Sequence, residues 1–189
     1  MMLAGGGAIP ESYLKRAFAR GVQVAQTYGM TETSSQTATL SPRDALRKLG
    51  AAGKPLFFNQ IRIDGAQKPG DIGEICIKGT HVTPGYIGRF NDKASTVDGW
   101  LHSGDVGYID AEGYLYVVDR RSDLIISGGE NIYPAEIENV LASHPAVKEV
   151  GVCGIDSTEW GQVPAAFIVA KDRAACKALE AYCAERLAL

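Results

Sequence analysis

The sequence has no long apolar run and no strong charge of either sign. No stretch of the chain approaches the roughly 20 apolar residues that a membrane-spanning helix needs. A net charge of −3 over 189 residues gives no reason to expect nucleic acid as a partner. No charged and then apolar leader opens the chain, so we expect a cytoplasmic protein without a membrane span.

Cysteine and histidine are scarce and scattered. The four cysteines are Cys76, Cys153, Cys176 and Cys183; they form no CxxC pair, and the three histidines do not cluster. Buried thiols in a reducing cytosol are therefore a better interpretation than disulfides or a zinc site. Cys176 and Cys183 would share one face of a helix.

The glycine-rich start is not a P-loop. Gly5-Gly6-Gly7-Ala8 lacks the Gly-Lys-Ser/Thr that must follow in a Walker motif. It predicts a backbone segment that neighbouring groups approach closely, with a plain turn as the alternative. Gly128-Gly129 has the same two interpretations.

The order of predicted elements indicates an α/β or α+β fold. A strand, a helix from Pro10 to Gly21 and a strand at Val22–Ala25 fit the edge of an α/β layer. From Gln60 onward, short strands parted by turns predict a small β subdomain, and strands with two helices follow. The predicted strands are Gln60–Ile63, Ile72–Lys78, Val106–Ile109, Tyr114–Val118, Leu124–Ile126, Val147–Val152 and Ala165–Val169; the helices run from Pro134 to about Ala142 and from after Asp172 to the end.

Charge is divided unevenly along the chain. Residues 1–121 carry a net charge of +2 and residues 122–189 one of −5. This asymmetry predicts a domain boundary near residue 121. Both ends break off in apparent core elements, so we expect a piece of a longer chain.

Tyr28-Gly29-Met30-Thr31-Glu32 follows a predicted strand and combines groups suited to a metal–phosphate site. Mg²⁺ is usually held by one or two carboxylates and by substrate phosphates. Thr31 would donate to a phosphate oxygen, Glu32 would bind the metal, and the Tyr28 ring would stack on a base. The alternative is that Thr31-Glu32 is only a helix cap.

A second carboxylate comes in Trp100-Leu101-His102-Ser103-Gly104-Asp105. One carboxylate accepts two hydrogen bonds, which suits the vicinal hydroxyls of ribose. If Asp105 and Arg120 end adjacent strands on one side, they would hold the same ribose. The alternatives are an Asx-turn at Asp105 and a surface ion pair from Arg120 to Asp119 or Asp123.

Taken together, these motifs resemble the AMP-forming acyl-CoA synthetase, or adenylate-forming, superfamily, which includes peptide-synthetase adenylation domains and firefly-type luciferases. The resemblance covers essentially the whole chain. Besides the motifs above it rests on Gly73–Ile77 with Gly85-Tyr86, on Asp119–Asp123 and on Ser127–Glu138. Within the superfamily, Tyr28–Pro42 and Lys48–Leu56 most resemble 2-succinylbenzoate–CoA ligases of menaquinone biosynthesis.

The resemblance implies a role for each matching residue. Gly6, Gly7 and Ala8 would border the adenine or the acyl group, and Gln26, Thr27 and Tyr28 would line the adenine pocket. Thr31 would contact the α-phosphate, and Glu32 would bind Mg²⁺. Asp105 and Arg120 would hold the ribose. Ser122 falls at the hinge position, and Gly128 would open the channel for CoA.

The resemblance also implies the fold, the ligands and the reaction. Residues 1–121 would end the large AMP-binding domain, and residues 122–189 would be the hinge and a truncated mobile domain. ATP, Mg²⁺, CoA and a small carboxylic acid would be the ligands, giving an acyl-adenylate and then a thioester. Homo-oligomers are an open possibility.

The family's phosphate-binding Ser/Thr/Gly loop and its C-terminal catalytic Lys have no counterpart here. We therefore expect this chain by itself to be inactive in adenylation. The alternatives are an inactive AMP-binding fragment, a fatty or aromatic acyl-CoA synthetase, or a peptide-synthetase adenylation domain.

Overall fold

Strands outnumber helices in the computed structural model, which describes residues 1–7, 9–86, 96–120, 122–171 and 178–187. The strands are β1 (Met2–Ala4), β2 (Val24–Met30), β3 (Ser35–Thr39), β4 (Lys54–Pro55), β5 (Gln60–Ile63), β6 (Gly73–Lys78), β7 (Thr96–Val97), β8 (Trp100–Ile109), β9 (Leu115–Arg120), β10 (Ile125–Ser127), β11 (Glu130–Ile132), β12 (Val147–Ser157) and β13 (Gly161–Ala170). The helices are α1 (Glu11–Ala19), α2 (Pro134–Ala142) and α3 (Leu179–Ala184), and Thr31–Thr33 forms one 3₁₀ turn.

The strands form three sheets. Their orders are β1-β2-β3-β4, then β5-β6-β8-β7 with β9 also paired to β8, and β11-β10-β13-β12. The β1–β2 pair is parallel, whereas the other registered pairs are antiparallel. Mixed sheets with separate helices make this an α+β fold, as predicted.

The chain divides into two compact units. The first comprises Met1–Ile9 with Leu14–Val117, and the second comprises Pro10–Tyr13 with Val118–Leu189. The interpretation of residues 122–189 as a mobile domain stays a prediction.

The first unit has its core between two sheets. Ile75, Ile77, Leu101 and Leu115 are almost fully buried and cluster with Tyr28. Each buried aliphatic side chain contributes about 1.5–3 kcal/mol relative to exposure. This burial explains why the short apolar runs of β6, β8 and β9 form strands, and β5 lies where the sequence predicts it.

The strand before the Tyr28 motif is longer than the pattern predicts. We expect Val22–Ala25, but β2 runs from Val24 through Met30. The polar side chains of Gln26 and Thr27 hide the apolar alternation. Both side chains make hydrogen bonds to neighbouring strands or loops, so this part of the strand tolerates them.

A cluster of charges ties the segment after β3 to the β8–β9 hairpin. Lys48 Nζ lies 2.6 Å from Asp110 Oδ2 and 2.6 Å from Glu112 Oε1. Arg47 Nη1 lies 2.5 Å from Glu112 Oε2. The cluster fixes the residues that lead to Ala51, whose carbonyl oxygen accepts a hydrogen bond from Gln26 Nε2 at 3.0 Å.

In the second unit, α2 and α3 pack on the β12–β13 hairpin. Leu141, Val147 and Leu179 form the buried cluster between them. Helix α2 spans the predicted residues, with Pro134 in its first turn, where a missing N–H costs nothing. The last helix is shorter than predicted: α3 ends at Ala184, and Glu185–Leu187 form a turn. Residues 172–177 and 188–189, also part of that predicted helix, lie outside the described residues.

The cysteines within the described residues are free thiols. Cys76 is buried and Cys183 half-buried. Cys153 is exposed, so the expectation of burial is wrong there, because in β12 it alternates with the residues that pack toward the helices. Cys176 lies outside the described residues.

None of the helices in the described residues is both long and apolar enough to cross a membrane.

The charge cluster predicts a stability that depends on acidity. Hydrogen bonds from Lys48 and Arg47 hold the pKa of Glu112 below its usual range. Burial alone would raise the pKa of Asp110, but Lys48 and two backbone N–H groups hold it below its usual value. A carboxylate with a lowered folded pKa stabilises the fold fully above its unfolded pKa of about 4, and this stability is lost as the pH falls below that value and through the lower folded pKa.

We therefore expect Lys48→Met to lower the urea midpoint more at pH 6 than at pH 3. The native chain should lose more stability than the variant between these pH values. Lys148→Met, in the second unit, is the control. Equal losses in the native chain and in Lys48→Met would contradict the role of this cluster.

Candidate functional site

Tyr28 and Asp105 meet inside the first unit, although they are far apart in the sequence. The Tyr28 hydroxyl donates to Asp105 Oδ2 at 2.8 Å. Asp105 is 6% exposed and Tyr28 is 9% exposed. A buried carboxylate is costly unless it is hydrogen-bonded, so this contact holds both side chains in one arrangement. Stacking of the Tyr28 ring on a base stays a prediction.

The backbone just after Tyr28 is unusually crowded. A Cβ on Gly29 would lie 1.7 Å from the carbonyl oxygen of Ser35, so only glycine fits. The register between β2 and β3 shifts at this point. The chain then turns through Thr31–Thr33 and returns as β3, so that Met30 pairs with Ser35.

That turn is the 3₁₀ segment Thr31–Thr33, and its cap differs from the one considered from the sequence. Thr33 Oγ1 accepts from the Met30 N–H at 3.0 Å and is itself 3.1 Å from the carbonyl oxygens of Met30 and Ser35. The buried Thr33 therefore holds the turn, rather than Thr31 or Glu32. The Thr31 side chain is exposed.

Glu32 is held by the segment that follows β6. The Tyr86 hydroxyl donates to Glu32 Oε1, and this bond is the main reason why the pKa of Tyr86 is raised. The Thr83 N–H also donates to the Glu32 carbonyl oxygen at 2.8 Å. The Glu32 side chain thus has a defined position at the end of β2.

The donor set at Glu32 fits a nucleotide-bound magnesium ion. Within the described residues, no three His, Cys, Asp or Glu side chains form a metal-binding group. A magnesium ion that binds with a nucleotide needs only one or two carboxylates, because phosphates and water supply the other ligands. One oriented carboxylate at Glu32 meets that requirement.

Gln26 and Thr27 are both hydrogen-bonded in the sheet. Gln26 Nε2 donates to the Ala51 carbonyl oxygen, as noted above, and Thr27 Oγ1 donates to the Ala38 carbonyl oxygen at 2.9 Å. Thr27 Oγ1 also lies 3.1 Å from Thr39 Oγ1. They lie on the strand that ends in Tyr28, and their part in an adenine pocket stays a prediction.

The glycines after β1 differ from one another. A Cβ on Gly5 would lie 2.6 Å from Thr27 Cγ2, so close approach is confirmed there. Gly6 has a φ of +88°, and a Cβ on Gly6 or Gly7 would meet nothing within 4 Å. Close approach is therefore wrong for these two, and the positive φ favours the turn. Ala8 lies outside the described residues, and the predicted ligand contacts of Gly6, Gly7 and Ala8 stay predictions.

Asp105 does not end its strand. β8 continues from Trp100 to Ile109, so the alternative of an Asx-turn between strands is wrong and Asp105 lies within the sheet. Arg120 is the last residue of β9, and β9 pairs with β8. Arg120 itself belongs to the second unit. Its backbone N–H donates to Asp119 Oδ1 at 2.8 Å. The shared ribose contact of Asp105 and Arg120 stays a prediction.

The candidate hinge and CoA residues lie in the second unit. Ser122 is exposed, and its hydroxyl donates to Asp123 Oδ1 at 2.9 Å. Gly128 has a φ of +58°, its N–H donates to the Trp160 carbonyl oxygen at 2.9 Å, and a Cβ there would lie 2.8 Å from the Trp160 ring. Close approach is confirmed at Gly128, while the hinge and channel roles stay predictions.

Two residues that support the site were not assigned a role from the sequence. Thr33 holds the turn and Tyr86 holds Glu32. Thr33 carried a usable signal, since a hydroxyl three residues after a strand end often caps the turn. Tyr86 carried none, because its contact joins residues 54 positions apart.

Comparison with known proteins identifies the family. The model for the AMP-binding enzyme family matches residues 1–87, and the model for its C-terminal domain matches residues 136–188. This chain belongs to the AMP-binding enzyme family.

The relatives within this family are close over nearly all of the chain. A 2-succinylbenzoate–CoA ligase from Bacillus cereus is 56% identical over 191 residues, which cover 99% of this chain and 40% of the relative. One from a Geobacillus species is 59% identical over 174 residues, covering 90% of this chain and 35% of the relative. The chain thus spans about 40% of the length of the curated relatives that it matches.

Solved structures give the same family assignment. An o-succinylbenzoate CoA synthetase from Bacillus subtilis, in complex with its acyl-adenylate intermediate, has a TM-score of 0.89 and 53% identity. The match covers 98% of this chain and 39% of that one. The same enzyme in complex with ATP and a magnesium ion has a TM-score of 0.88 at 53% identity, covering 98% of this chain and 40% of that one.

The buried bond between Tyr28 and Asp105 predicts a specific loss of stability. Tyr28→Phe keeps the ring in the core and removes only the donor. We expect the free energy of unfolding to fall by about 1–2 kcal/mol, because a hydrogen bond to a buried charge is lost. Urea denaturation would measure this change.

Tyr13→Phe is the matched control: it removes the hydroxyl of an exposed tyrosine, whose contact with the Lys148 carbonyl oxygen is long, at 3.5 Å. We expect this control to change the stability by less than about 0.5 kcal/mol. Equal effects of the two substitutions would show that the Tyr28–Asp105 contact contributes nothing of its own.

Proposed function

We propose that this chain is part of an ATP-dependent, AMP-forming acid–CoA ligase that acts on 2-succinylbenzoate in menaquinone biosynthesis. The observation that carries the proposal is the identity of 53–59% to 2-succinylbenzoate–CoA ligases and an o-succinylbenzoate CoA synthetase. The whole enzyme's reaction is assigned by that likeness, since this chain spans only part of those proteins.

Within this chain, the residues of the first unit would bind the AMP part of the nucleotide. The Asp105 carboxylate suits the two ribose hydroxyls, because one carboxylate accepts two hydrogen bonds. Tyr28 fixes the direction of that carboxylate through Oδ2. Thr31, exposed at the turn after β2, would donate its hydroxyl to the α-phosphate.

Glu32 would hold the magnesium ion beside the phosphates, oriented by the Tyr86 hydroxyl. The ion would supply charge neutralisation on the phosphate oxygens. A carboxylate held in advance loses less freedom on binding, so the Tyr86 contact favours the bound arrangement.

The proposed reaction has two steps. The carboxylate of 2-succinylbenzoate attacks the α-phosphorus, the bond to the bridging oxygen breaks, and pyrophosphate leaves. The CoA thiol then loses its proton to solvent, its sulfur attacks the acyl carbon, and AMP leaves with the electrons of the broken anhydride bond. We propose that Ser122 is the hinge for the change between these steps and that Gly128 lies beside the path of the pantetheine arm.

The nucleotide part of the proposal predicts that this chain binds AMP and that Asp105→Ala weakens binding roughly ten- to hundredfold, because a charge-assisted hydrogen-bond pair is lost. Isothermal titration calorimetry with AMP would measure both affinities. Asp71→Ala, which removes a carboxylate that accepts from the Gln67 and Lys68 N–H groups, is the control and should bind AMP like the native chain. No heat from the native chain would refute AMP binding, and equal affinities would refute the role of Asp105.

The acid specificity calls for a separate experiment. We expect a chimaera, in which this chain replaces the matching segment of the Bacillus subtilis o-succinylbenzoate CoA synthetase, to form 2-succinylbenzoyl-CoA from ATP, 2-succinylbenzoate and CoA. The same chimaera with Asp105→Ala should lose at least about tenfold in kcat/KM for ATP. A folded chimaera that prefers anthranilate or a fatty acid over 2-succinylbenzoate would contradict the substrate assignment.

A further inference from the structure

Strand β8 has an irregular bulge whose last residue, Asp105, meets Tyr28. Glu74 pairs with Val106, and Cys76 pairs with His102. Ile75 of β6 therefore stands opposite three residues of β8, namely 103–105. Gly104, in the middle of the bulge, has a φ of +75°. Bulges of this kind redirect side chains, often beside active sites.

Side chains take over the hydrogen bonds that the ladder would make at the bulge. The Gly104 N–H donates to Glu74 Oε1 at 3.1 Å. The Ser103 hydroxyl donates to the Ile75 carbonyl oxygen at 2.7 Å and accepts from the Asp105 N–H at 3.1 Å. The two side chains thus hold the backbone on both sides of Gly104.

Glu74 is itself fixed through its second oxygen. His102 Nδ1 lies 3.2 Å from Glu74 Oε2. The Glu74 side chain is 14% exposed and the His102 side chain is 22% exposed. A half-buried carboxylate with both oxygens engaged has little rotational freedom, so it is a firm support for the bulge.

We propose that Glu74 and Ser103 are positioning residues of the nucleotide site: they hold the bulge that brings Asp105 to Tyr28, and selectivity for an intact ribose depends on them. This inference rests on the proposed function of Asp105. It adds a requirement, because the direction of the Asp105 carboxylate is set by the backbone at Gly104 as well as by the Tyr28 hydroxyl.

The geometry distinguishes three substitutions. Glu74→Gln keeps an oxygen that accepts from the Gly104 N–H, whereas Glu74→Ala removes it. Ser103→Ala removes the link between the Ile75 carbonyl oxygen and the Asp105 N–H. Asp71→Ala removes a carboxylate that also accepts from backbone N–H groups, but in the turn between β5 and β6, and serves as the control.

The first measurement is amide hydrogen exchange by NMR, which needs no ligand. In Glu74→Ala the Gly104 amide should exchange at least about tenfold faster than in the native chain, because its acceptor is gone. In Ser103→Ala the Asp105 amide should likewise exchange at least about tenfold faster than in the native chain. Glu74→Gln should keep Gly104 protected, and Asp71→Ala should leave both amides unchanged. Protection of Gly104 that survives in Glu74→Ala would overturn the inference.

The second measurement compares the affinities for AMP and 2′,3′-dideoxy-AMP. The native chain should prefer AMP, and the ratio of the two affinities should fall at least about fivefold in Glu74→Ala and Ser103→Ala. Glu74→Gln should restore most of the ratio, and Asp71→Ala should keep it. A general loss of stability would weaken both ligands equally, so an unchanged ratio in folded Glu74→Ala and Ser103→Ala would also overturn the inference.

The two measurements separate this inference from the proposed function. If the native chain binds neither nucleotide, the AMP-binding proposal fails for this chain. The exchange rates of Gly104 and Asp105 would then still decide whether Glu74 and Ser103 hold the bulge.

Discussion

The bond from the Tyr28 hydroxyl to the Asp105 carboxylate is the constraint around which the first unit is organised. It joins β2 of one sheet to β8 of another inside the core. A carboxylate that is 6% exposed is tolerated only with partners in place. Two backbone features bring Tyr28 and Asp105 together: the crowded Gly29 in β2, and the bulge at Gly104 in β8.

Most of the features assigned to nucleotide binding are contained in the first unit. Tyr28, Thr31, Glu32 and Asp105 all belong to it, and their supporting contacts come from β3, β6 and the segment after β6. The second unit carries the residues that the family likeness connects with conformational change and CoA. Its hairpin and two helices form a core of their own around Leu141.

Local patterns predicted the elements that local forces determine. The Pro134 helix and the Gln60–Ile63 strand have the predicted bounds, because a proline at a helix start and an alternating apolar run act over a few residues. Gly113, in the turn between β8 and β9, has a positive φ of +83°, which glycine adopts without strain.

Contacts between residues far apart in the sequence determine the remaining strand bounds and side-chain positions, and local patterns do not reveal such contacts. β2 was predicted too short because Gln26 and Thr27 look like loop residues until their partners are known. The sequence predicts only Val106–Ile109 of β8, because a Ser-Gly-Asp run normally interrupts a strand, whereas β8 begins at Trp100. The motif residues were found through their family likeness, whereas the contacts of Tyr86 and Glu74 needed the folded chain.

The polar side chains within β2 also have a consequence for how the sheet assembles. Gln26 is buried, Thr27 is half-buried, and both find their acceptors in one alignment of β2 with its neighbours. A slip by one residue would turn each side chain to the opposite face and leave buried donors without acceptors, at about 1–3 kcal/mol for each group. An all-apolar strand would tolerate that slip more easily. Gln26 and Thr27 therefore specify the register of β2 against its neighbours.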